Sequence, residues 1–354
     1  MNMLNHRLVR NFLWMVPLFF STLACTAASQ WINPDTTTAV PQTFQPNPTD
    51  PSVLAPSTSP GSSAAACTAL AADILRVAAY HSHETSGAQE SGQEVGYLVV
   101  YTLDGDNLGT REDLLVSSSP GADLDSRSAH EPVWRYFASL IPGEERSFVT
   151  EFAVLSDGSN SILAGVSPTY ADPNLWTLKV DIVDAGDPHS LTYTLLHEFG
   201  HFLTLKPSQV PPDSQVFYNL DDEAIYEQAQ VACPTYFTGE GCSNPGSYID
   251  SFFNRYWSNF YSEWQEVHPT KGGDADGDRL HEFYNMYKDQ FLSSYAATSP
   301  EEDIAESWTY FVLSPKPEPT SIANQKILFF YEYPELVALR EQILNRLCTS
   351  FPQN

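Results

Sequence analysis

Apolar and polar residues follow one another along this chain in runs whose period separates strands from helices. ACTALAADILRVAAYHS, Ala66 to Ser82, sets Leu70, Ile74, Val77 and Ala78 on one side of a predicted amphipathic helix. EVGYLVVYTL, from Glu94, is β-branched and aromatic and predicts a strand. EPVWRYFASLIP predicts a helix stopped by Pro142, SFVTEFAVLS a second strand, and LWTLKVDIVDA, Leu175 to Ala185, a third. LTYTLLHEFGHFLTL, 191–205, is apolar almost throughout and predicts a buried helix. The chain then changes character: IDSFFNRYWSNFYSEWQEV, LHEFYNMYKDQFLSSYAAT, EEDIAESWTYFVL and NQKILFFYEYPELVALREQILNRLCTSF all predict helices, with Pro334 interrupting the last. This order predicts an α+β fold, a small mixed-sheet lobe followed by a helical lobe, with a cleft between them.

The apolar run 191–205 carries His197, Glu198 and His201. Residues four apart share a helix face, so the two imidazoles point the same way and Glu198 sits one step round. H-E-x-x-H on a helix is the arrangement in which two histidines bind zinc and the glutamate acts as base on water at the metal. By itself the motif also occurs in core helices whose histidines bond only to backbone. A third protein ligand is therefore required, and YAATSPEEDIAESW, Tyr295 to Trp308, offers one. Ser299 before Pro300 and an acidic first turn mark a helix start, from which Glu302 and Glu306 share a face. One such carboxylate can bind the metal while the next turn's accepts a hydrogen bond from a ligand histidine. Glu301 and Asp303 are the competing third ligands.

HEFGH together with Y-x-x-T-x-x-x-E-x-x-A-E resembles the zinc protease domain of anthrax lethal factor and related bacterial secreted peptidases, a branch of the gluzincins. The resemblance is confined to Leu195–Leu203 and Tyr295–Trp308. It implies a zincin-like metallopeptidase fold with zinc (Zn2+) held by His197, His201 and Glu302. It further implies Glu198 as general base, Glu306 as hydrogen-bond partner of a histidine, and Tyr295 as the group that stabilises the oxyanion. This chain departs from the pattern at Asp303-Ile304, where the relative has two aromatic residues. The function expected is zinc-dependent endopeptidase activity on a peptide or protein substrate, with the strand at 175–185 as the edge along which an extended substrate lies. The rival readings are a surface lipoprotein that keeps the fold for polypeptide binding, and a hydrolase of another amide such as a cell-wall peptide.

Composition adds the setting. With 42% hydrophobic and 13% aromatic residues in 354, the chain can build a substantial core. The formal charge of −27 repels nucleic acid and anionic lipid, so no nucleic-acid partner is expected, and the protein is expected to be a monomer. Arg7 and Arg10 precede an apolar run from Phe12 to Leu23, the build of a secretory signal over residues 1–24. Thr22-Leu23-Ala24-Cys25 resembles a bacterial lipobox with threonine in place of the usual leucine, which makes Cys25 the lipidation site of an exported, envelope-anchored protein; plain cleavage near Ala28 is the alternative. Residues 25–65 are rich in Pro, Ser and Thr and form a linker to a domain spanning 66–354. The other cysteines number four, an even count that suggests disulfides in an exported chain: Cys233 with Cys242 as a local staple and Cys67 with Cys348 tying the domain's ends. His281-Glu282 repeats the start of the motif, but Asn285 stands where a second histidine is needed. DADGD, Asp274 to Asp278, is better read as an acidic turn than as a calcium loop.

Overall fold

The protein's structure is a computed structural model describing residues 67–77, 95–116, 120–157, 163–219, 222–267 and 277–352. The expected signal segment, Cys25, the 25–65 linker and the side chains of Asp274–Asp278 lie outside the described residues.

The order is helix α1 (67–77), strands β1 (Tyr97–Asp104) and β2 (Asn107–Val116), helix α2 (Arg127–Leu140), then β3 (Val149–Ser156), β4 (Ala164–Pro168) and β5 (Trp176–Asp181). Among the described residues after β5 the regular elements are helices: α3 (Pro188–Leu205), α4 (Ser214–Tyr218), α5 (Glu223–Ala232), α6 (Tyr248–Tyr256), α7 (Tyr261–Val267), α8 (Gly277–Tyr287), α9 (Pro300–Leu313), α10 (Ile322–Phe329) and α11 (Pro334–Ser350), with an isolated bridge between Phe237 and Cys242. The fold is mixed α+β, with one five-stranded sheet ordered β2-β1-β3-β5-β4. β3 and β5 pair in parallel and the other neighbours are antiparallel.

Alternation along the strands sends Tyr97, Val99, Tyr101, Phe152, Val154, Leu178 and Val180 into the main core. There they meet Trp134 and Phe137 of α2 and Leu195, Phe199 and Phe202 of α3. Phe202 lies 5.9 Å from Trp176 and 6.2 Å from Phe137, ring to ring. On the other flank of α3, Phe199 lies 5.8 Å from Trp308 of α9. A helix between a sheet and a second helix must be apolar nearly all round, which is why 191–205 reads as it does.

Four expectations need correction. The 175–185 strand is not an edge: β5 lies between β3 and β4, and the edge on that side is β4, whose short AGVSP run gave no strand signal. β2, half polar and on the opposite edge, was also illegible; it closes a hairpin through Gly105 at φ +60°. The run 280–298 is α-helical only to Tyr287 and 3-10 helical over Lys288–Gln290, because Ser293 and Thr298 bond to nearby backbone and compete with helix. The run 249–267 breaks between Tyr256 and Tyr261, where the indole of Trp257 turns inward to Asp303. Both expected disulfides form: Cys233–Cys242 closes the loop after α5, and Cys67–Cys348 joins α1 to α11 with Cα atoms 5.4 Å apart. No helix among the described residues is long and apolar enough to cross a membrane.

Candidate metal centre

Two helices, each with a built start, deliver the site. α3 begins at Asp187, whose carboxylate accepts from the N–H groups of His189 and Ser190, with Pro188 preset for the first turn. α9 begins at Ser299, whose hydroxyl accepts from the backbone N–H of Glu302 itself at 3.1 Å. The cap of α9 therefore fixes the residue expected as third ligand, and Trp264 Nε1 braces the approach by donating to the Thr298 carbonyl at 3.0 Å.

The two helices cross at Gly200 and Ala305. A Cβ placed on Gly200 would lie 2.9 Å from the Ala305 Cα and 3.2 Å from Trp308 Cδ1, so only glycine permits this approach. Glycine within HEFGH and alanine within E-x-x-A-E are thus the two halves of one contact.

Across it the functional atoms converge. His197 Nε2 lies 2.9 Å from Glu302 Oε2 and 3.1 Å from His201 Nε2, and His201 Nε2 lies 3.3 Å from the same carboxylate oxygen. All three side chains are buried. A single proton can bridge only one pair of these atoms, whereas a cation can engage all three. Tetrahedral zinc with ligands at about 2.0–2.1 Å sets them about 3.3–3.4 Å apart, at or just above the separations found. The donor set therefore fits a metal ion. Burial alone would raise the Glu302 carboxyl, but the two histidines hold it far below the usual range. Burial would likewise lower His201, yet Glu302 pushes it up to about 9, as expected where a site is shaped for positive charge.

Glu198 is buried beside the histidines, and burial raises its carboxyl against their opposing charge. The Tyr295 ring lies 5.6 Å from that of His197, so the segment before α9 reaches the site. Glu306 departs from expectation: its oxygens accept from Tyr193 Oη at 2.5 Å and Ser293 Oγ at 2.6 Å, both hydroxyls, neither a histidine. It thereby ties the helix of His197 to the segment that carries Tyr295. Of the competing ligands, Glu301 turns away to accept from Tyr236 Oη at 2.7 Å, and Asp303 accepts from the indole of Trp257 at 2.7 Å. His281 and Glu282 are exposed on α8.

Sequence reasoning missed Lys179 and Glu240. Lys179 is buried on β5; burial lowers its ammonium to about 8 despite the charges of Glu240, Glu198 and Glu151. Glu240 sits within the loop closed by Cys233–Cys242, and burial together with Glu301 raises its carboxyl to about 8. Neither residue belongs to a motif, so neither carried a signal. A second group of carboxylates, Asp157, Asp181 and Asp184, brings ligand atoms within 4.8 Å of one another past the ends of β3 and β5. Burial raises Asp181 to about 7 and Asp184 to about 6.

Compared with models of known protein families, with curated proteins and with solved structures, the chain finds no match.

Proposed function

We propose that this protein is a zinc-dependent endopeptidase of zincin-like fold, exported and anchored to the cell envelope through a lipid on Cys25. The observation that carries the reading is the convergence of His197, His201 and Glu302 from two helices, with buried Glu198 beside them. His197, His201 and Glu302 would hold the zinc, which when bound polarises a carbonyl and brings a water's pKa to about 7.

The rest of the chemistry falls to this chain's own groups. Glu198 takes the proton of the attacking water and returns it to the departing amine. Tyr295 would donate to the oxyanion that develops at the cleaved carbonyl. β4, an edge strand of the sheet, would be the strand with which an extended substrate pairs through main-chain hydrogen bonds, giving affinity with little sequence selection. α3, the helix of His197 and His201, contacts β4.

The test is a peptide-library digest by the purified mature chain, with chelator and after zinc is restored. Cleavage that disappears with chelator and returns with zinc supports the reading; a metal-loaded protein that binds peptides but cleaves none favours the binding-protein alternative. Cleavage confined to wall peptides favours the other amide hydrolase.

A further inference from the structure

Successive helix residues stand about 100° apart, so Asp303 points away from the side on which Glu302 faces the histidines. There it meets a lysine. Lys326 Nζ of α10 lies 2.5 Å from Asp303 Oδ2, both side chains wholly buried, and Trp257 Nε1 donates to the same oxygen at 2.7 Å. The ammonium also lies 4.1 Å from the centroid of Phe291 and 6.0 Å from those of Phe252, Tyr256 and Trp257. One carboxylate and an aromatic cage thus hold a cation sealed from solvent.

Stability does not account for this arrangement, since apolar residues of similar volume often serve a core as well as a buried ion pair or better. What the pair adds is direction. Apolar packing tolerates some rolling of a helix about its axis, whereas a buried ion pair to α10 combined with a hydrogen bond from the Trp257 indole does not. A side-chain end about 5–6 Å from the axis moves about 1 Å for each 10° of roll. A built site tolerates about 0.5 Å.

We propose that the Asp303–Lys326 pair, completed by Trp257, is a positioning device that sets the roll of α9 and so aims Glu302 at His197 and His201. The claim rests on Glu302 being a metal ligand.

The test compares wild type with the double variant Asp303→Leu/Lys326→Met and with Trp257→Phe. Zinc affinity is read by competition with a chromophoric chelator, and thermal stability is read on the metal-free proteins. The double variant is expected to melt at or above the wild-type temperature yet bind zinc about 10- to 100-fold more weakly. Trp257→Phe, which removes only the indole donor, is expected to weaken zinc several-fold. Wild-type zinc affinity in the double variant overturns the proposal, because the pair would then be replaceable packing. Should the double variant not fold, Trp257→Phe decides alone, and unchanged affinity there overturns the proposal. A wild-type protein that binds no zinc removes the metal reading itself, a failure distinct from loss of positioning.

Discussion

Gly200 and Ala305 touch where the helices carrying His197, His201 and Glu302 cross: a Cβ on Gly200 would sit 2.9 Å from the Ala305 Cα. Gly200→Val must therefore push α3 and α9 apart. Overpacking of this kind typically costs about 1–3 kcal/mol, and the same displacement separates Glu302 from the histidines. The expected outcome is a lower melting temperature and at least tenfold weaker zinc binding, read by thermal denaturation and metal competition. Wild-type zinc affinity in the variant would mean that the crossing does not set the ligand geometry.

Glu306 joins Tyr193 to Ser293, hence the helix of His197 to the segment of Tyr295. Glu306→Ala is expected to lower turnover by more than it lowers zinc affinity, since both bonds it loses are to hydroxyls and no metal ligand is touched. Turnover on one good peptide and zinc content after dialysis check this. Loss of zinc with turnover per bound metal intact would reverse the assignment.

The two disulfides should differ in weight. Cys233→Ser/Cys242→Ser opens a short loop, for which chain-entropy reasoning gives about 2–3 kcal/mol; Cys67→Ser/Cys348→Ser opens nearly the whole domain and by the same reasoning should cost about 5–6 kcal/mol. Chemical denaturation of the two variants orders them. The short loop also holds Tyr236 against Glu301, so its opening should additionally reduce zinc affinity.

The Asp157–Asp181–Asp184 group predicts a pH dependence. Burial raises Asp181 to about 7 and Asp184 to about 6, so the folded state holds these protons more tightly than the unfolded chain. Their contribution is fully present below about pH 4 and is lost as pH rises through about 7. Asp184→Asn removes one of the like charges. It should raise stability at pH 8 by on the order of 1 kcal/mol, allowing for solvent screening, and leave stability at pH 4 unchanged. Thermal denaturation at the two pH values is the check, and equal effects at both would contradict the electrostatic cause.

What the sequence made legible was whatever local pattern encodes. α3, α9 and the turn-apart spacing of His197 and His201 follow from periodicity and capping residues, and the disulfides from an even count of cysteines in a chain expected to be exported. The edge strand was misplaced because β4 and β5 differ in hydrophobicity in the wrong sense: the buried interior strand reads strongly and the short edge strand barely at all. The partners of Glu306 were missed because Tyr193 reaches it only once α3 and α9 have crossed, a contact between positions 113 residues apart, and Ser293 only once the segment before α9 has folded back along it. Lys179, Glu240 and the Asp303–Lys326 pair were hidden for the same reason, since charge buried by tertiary packing leaves no periodic trace.

Glu198 as the proton carrier of a metal-dependent peptidase is tested most directly by Glu198→Gln, assayed at full zinc occupancy beside wild type on the same peptide. The predicted result is stoichiometric zinc, an unchanged fold and hydrolysis lowered by about 100- to 10,000-fold, the usual contribution of a positioned base. Wild-type hydrolysis by the zinc-replete variant would contradict it.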